Sequence, residues 1–112
     1  MIHLLRQKAT SAQLAEMLET LEVYVKLAVD IEQEALAGGG ALHADCEAVF
    51  LDAGSRQDDI WGADWIPASQ QEVKYEALIN IRPSQSNPAM TIPNPEIRAR
   101  VKKVVESLLG GV

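Results

Sequence analysis

One imidazole and two carboxylates recur at every second position in His43-Ala-Asp45-Cys-Glu47. In a strand, that spacing projects all three side chains from one face, roughly 6–7 Å apart from one to the next. Such a set could bind a divalent metal ion such as Mg²⁺, Mn²⁺ or Zn²⁺. It could equally do acid–base work on a bound substrate. Asp64 joins as a fourth candidate from the neighbouring strand, with Asp58 beside it and Glu76 or Arg82 contributed by the strand after that. The candidate catalytic residues are therefore His43, Asp45, Glu47 and Asp64, and the candidate metal ligands His43, Asp45 and Glu47. A period-two polar pattern is also what a solvated sheet face shows, with Arg82 or Lys74 pairing across it.

Other reactive residues nearby read differently. Cys46 alternates away from His43 toward the apolar side, where a thiol is inert rather than nucleophilic. Trp61 and Trp65 share one side of their strand. They are core residues or, beside Pro67 and with Arg82, a ligand or partner surface. Gly38-Gly39-Gly40 follows a helical pattern, so the helix's negative end would face it, and no Lys-Ser/Thr comes after. Both features exclude a phosphate-binding loop. His3, alone near the start, is an ordinary solvated histidine.

These residues need elements to hold them. Leu42, Ala44, Cys46, Ala48 and Phe50 alternate with the polar set and form the buried face of a strand over 42–51. Asp52-Ala-Gly-Ser55 reads as a hairpin turn and 57–65 as the return strand, with Gly62 marking a bulge or a close approach. The spacing then predicts a longest strand over 73–82 and an irregular loop through Pro83, Pro88 and Pro93. Asn94-Pro95 caps a last helix striped by Ile97, Val101, Val104, Val105 and Leu108. Before the site, Ile2–Leu5 is a short strand or an apolar leader. Thr10-Ser-Ala-Gln13 is a capping box. Leu14, Met17, Leu18, Leu21, Tyr24, Val25, Ala28 and Ile31 predict one long helix up to the glycines at 38–40, with Glu22 and Lys26 paired one turn apart. Val23, Leu27 and Val29 widen its apolar surface beyond one stripe, which suggests a homodimer.

The expected fold is α+β in a single domain, 1–112: a three- to four-stranded, mainly antiparallel sheet against a long N-terminal helix and a C-terminal helix. At 112 residues and 47% hydrophobic content, the chain has enough apolar surface for a real core. One cysteine allows no internal disulfide and fits a reducing compartment. No targeting or membrane-spanning segment is visible, so a soluble cytoplasmic protein is expected. The net charge of −6 disfavours nucleic acid, because an acidic centre repels phosphates. The basic residues Arg98 to Lys103 on the last helix face solvent or pair with the acidic part of the fold.

Three blocks, Leu42-His-Ala-Asp-Cys-Glu47, Asp59-Ile-Trp-Gly-Ala-Asp-Trp65 and Leu78-Ile-Asn-Ile-Arg-Pro83, together with the helices around them, resemble a family of short bacterial proteins of unknown function. The resemblance covers nearly the whole chain and implies a self-contained protein. It carries no activity, substrate or cofactor. The residues support a small binding or regulatory protein, homodimeric and without chemistry of its own. The alternative is a metal-assisted, hydrolase-like enzyme working through the His/Asp/Glu cluster.

Overall fold

The computed structural model describes every residue from Met1 to Val112. Its elements run β1 (His3–Leu5), α1 (Ser11–Met17), β2 (Val25–Asp30), β3 (Ala35–Gly38), α2 (His43–Asp52), β4 (Ile60–Ile66), β5 (Glu72–Lys74) and α3 (Pro95–Leu109). All strand pairs are antiparallel, in the order β1-β3-β2-β4-β5. The α+β class is as expected, but the sheet has five strands rather than three or four.

The long N-terminal helix does not form. The Thr10–Gln13 capping box starts α1 as read from the sequence, and the helix stops at Leu18. Glu22 then takes a positive φ of 67° and turns the chain into β2. Residues 23–31 are too continuously apolar and too rich in β-branched side chains for a one-sided helix. They suit a central strand buried on both faces. Val25, Leu27 and Val29 enter the larger core with α1 and α3, while Ala28 enters the core under α2. Lys26 consequently sits on a strand, and its expected helical pairing with Glu22 is lost. The Asp30 carboxylate accepts from the N–H groups of Glu32 and Gln33, both at 3.0 Å, and builds the tight turn into β3.

The helix α2 lies on one face of the sheet, over Ala28, Ala35, Ala37 and Ile60. Small side chains there let the helix come close, and Cys46 and Phe50 fill the contact. On the opposite face α1 and α3 pack against Leu27, Leu36, Trp61, Ala63 and Trp65. The last helix starts as expected: Asn94 accepts from the N–H groups of Glu96 and Ile97 at 2.9 and 3.2 Å, and Pro95 opens the first turn. Arg100 on that helix binds the Ile31 carbonyl and the Glu32 carboxylate, the expected pairing of the basic helix with the acidic part of the chain.

Candidate functional site

Residues 43–52 form a helix, not the expected strand. The two patterns coincide at the residues that matter for burial. Cys46 and Phe50 are both even-numbered and four apart, so they share a face under either period. Ala44, Glu47, Ala48 and Leu51 are good helix formers and favour the helix locally. The change of period separates the proposed metal ligands. His43 and Glu47, one turn apart, stay on one side, whereas Asp45 sits about 200° from His43 around the axis and is exposed. Glu47 is engaged by Arg82 at 3.4 Å. No group of three or more His, Cys, Asp and Glu side chains is placed to hold a metal ion. The His43, Asp45, Glu47 constellation is therefore not assembled.

One of the expected pairings does form. His43, on the first turn of α2, reaches down to β4 and places Nε2 at 2.7 Å from Asp64 Oδ1 and 3.2 Å from the Ala63 carbonyl. Both partners accept, so Nε2 carries the proton. Nδ1 is then the free position of the ring. The two side chains are 11% and 18% exposed. Asp64 is register-paired with Lys26 on β2 and with Lys74 on β5, so the three project from the same face of the sheet.

Beside this pair lies a pocket of about 300 Å³, with walls of Leu42, Ala44, Ala77, Leu78, Ile79 and Met90 and polar groups from His43, Lys26 and Glu76. Leu42, Leu78 and Met90 are exposed to 57%, 71% and 42%. They account for three of the seven large apolar side chains left in solvent, gathered around one concavity. A larger groove of about 650 Å³ lies between β5 and α3. Its lining mixes Val73, Pro95 and Ala99 with a larger share of polar groups, and the Arg98 guanidinium is stacked on the Tyr75 ring at 4.1 Å.

The far wall of the smaller pocket comes from the segment expected to be the longest strand. Only Glu72–Lys74 pairs there. Beyond it the chain leaves the ladder, and two side chains satisfy the exposed edge of β4 in its place. The Asn80 amide accepts from the Gly62 N–H at 2.7 Å and donates to the Gly62 carbonyl at 3.0 Å, copying a neighbouring peptide. Arg82 donates to the Ile60 carbonyl, and also to those of Gln57 at 2.8 Å and Ile79 at 3.0 Å. Asn87 closes the loop by donating to the Asn80 and Thr91 carbonyls at 2.6 and 3.1 Å. Gly62 is required here, since a Cβ would overlap the side chains of Ala77 and Ile79. The expected close approach at Gly62 is thus the pocket wall itself.

This placement corrects the proposed binding surface of Trp61, Trp65 and Arg82. Both indoles are 1% exposed and belong to the main core. Arg82 is buried, packs its guanidinium 4.8 Å from the Trp61 ring centre and spends its donors on the fold. Cys46 is buried as expected, its thiol 3.5 Å from the Lys26 carbonyl, and desolvation raises its pKa. Glu76, expected as a contributor from the strand after Asp64, does line this pocket, and the residues missed from the sequence are Lys26, Leu42, Leu78 and Met90. The signal available for Leu78 was a large apolar residue on the polar side of its supposed strand.

No helix of the chain is long and apolar enough to cross a membrane. Neither the curated proteins nor the solved structures contain a significant match to this chain. A family model described as "Protein of unknown function (DUF5674)" matches residues 3–108, which takes in both sides of the pocket and the His43–Asp64 pair, and the chain belongs to that family.

Proposed function

We propose that this chain is a small binding protein whose ligand occupies the pocket between the start of α2 and residues 76–79. The observation that carries this reading is the convergence of three solvent-exposed apolar side chains on one concavity beside an ordered, part-buried His–Asp pair. Ligand sites combine an apolar wall with a few fixed polar groups in this way. Binding of small apolar fragments, followed by thermal shift and calorimetry, tests it. Hits should be lost in Leu78→Glu and weakened in His43→Ala. Fragments that bind both variants like the parent chain would contradict the site.

The setting of the proposal is a homodimer in a bacterial cytoplasm. The resemblance to short bacterial proteins and the single buried thiol support the location. Leu51, Ile81 and Val23 are also exposed outside the pocket and are apolar side chains that a second copy could cover. Light scattering after size exclusion tests the dimer, and a clean monomer at high concentration removes it. The charge of −6 keeps nucleic acid out of the proposal.

The 2.7 Å contact between His43 and Asp64 favours a second reading, acid–base chemistry at Nδ1 of an imidazole oriented by a carboxylate. Turnover of a panel of esters and amides that disappears in both His43→Gln and Asp64→Asn would establish it. Turnover surviving in either variant would exclude it.

A further inference from the structure

We infer that the ligand of this pocket is a small zwitterion with an apolar tail, of the α-amino acid class with an aliphatic or thioether side chain. The inference rests on the pocket being a binding site and adds the chemistry of the occupant. A space of about 300 Å³ lies at the small end of ligand pockets, which suits a small metabolite rather than a nucleotide-sized cofactor.

The charges define its head. Lys26 and Glu76 both line the pocket. Neither forms an ion pair within 4.0 Å, with each other or with any other residue. The carboxylate register-paired with Lys26 is Asp64, and its Oδ1 is held by His43 at 2.7 Å. One ammonium and one carboxylate are thus left facing the same apolar concavity without protein partners. An anionic ligand would satisfy Lys26 alone, and a cationic one Glu76 alone. A ligand carrying both charges satisfies both, with its carboxylate on Lys26 and its ammonium on Glu76, while Nδ1 of His43 offers one further polar contact. Leu42, Leu78 and Met90 then cover its tail, and the flexible thioether of Met90 accommodates tails of differing shape.

The test is calorimetry at low salt with three probes sharing one tail: L-leucine, 3-methylbutylamine, which lacks the carboxylate, and 4-methylpentanoate, which lacks the ammonium. Leucine should bind at least about tenfold more tightly than either analogue, the scale of one charge-assisted hydrogen bond. Lys26→Met should weaken leucine and 4-methylpentanoate about tenfold and leave 3-methylbutylamine unchanged. Glu76→Gln should weaken leucine and 3-methylbutylamine and leave 4-methylpentanoate unchanged. Neither position is buried, and circular dichroism checks that both variants fold. Equal binding of leucine and one analogue, or variants that fail to split the probes, overturns the zwitterion. So does binding of uncharged apolar fragments in the absence of leucine binding, and in that case the site itself stands. If no probe and no fragment binds, the pocket reading fails as well.

Discussion

Side-chain amides and guanidinium groups do work here that backbone does in an ordinary sheet. The Asn80 amide covers the edge of β4 at Gly62, and its Nδ2 also reaches the carbonyls of Tyr75 and Met90 at 3.2 and 3.0 Å. Asn80→Ala would orphan both Gly62 groups in a dry site and should cost about 3 kcal/mol in urea unfolding. Asn80→Asp should cost no less, because a carboxylate would face the carbonyls that Nδ2 now serves. Gly62→Ala should destabilise comparably by pushing Ala77 and Ile79 away, loosening the pocket wall as well. Cys46 gives a pH-dependent prediction. Desolvation raises its pKa above the ordinary 9.0, so the unfolded chain gives up this proton first as pH rises. Its contribution to stability is full below about pH 9 and falls as pH climbs through the folded value. Cys46→Ala should flatten that alkaline loss in unfolding curves, and the native thiol should resist alkylation at pH 7.

At the scale of elements, legibility followed how many independent signals agreed. The starts of α1 and α3 were legible because capping residues act locally: Thr10 with Gln13, and Asn94 with Pro95. Asn94→Ala should accordingly lower stability by about 1 kcal/mol in chemical denaturation, through the cap alone. Elements inferred from periodicity fared worse. In 18–31 the apolar residues are so dense that a stripe at three- and four-residue steps can be drawn through what is a turn followed by the doubly buried strand β2. In 42–51 the alternation of Cys46 and Phe50 fits periods of two and of four equally. Both elements are decided by packing: β2 is fixed by strands on either side, and α2 by the small residues Ala28, Ala35 and Ala37 beneath it. Of the candidate site, His43 and Asp64 were legible as residue types in proximity across a turn. Glu76 was legible as a contributor from a following segment, whereas Lys26 and Met90 were not, since only the tertiary fold brings their distant segments to one pocket.

For the whole molecule, a single sheet with helices on both faces buries most of the large apolar side chains, and three of the seven left exposed line one concavity beside α2's first turn. That asymmetry is what a binding protein needs and a purely structural unit does not. The claim that this concavity is the functional site is tested most directly by methyl-labelled NMR during titration with small apolar amino acids. Methyl signals of Leu42, Leu78 and Met90 and the ring protons of His43 should shift together and saturate with one affinity. Those of Leu14, Val101 and Leu108 on the far side of the sheet should stay fixed. Shifts confined to the far side, or none at all up to saturating concentrations, would contradict the account.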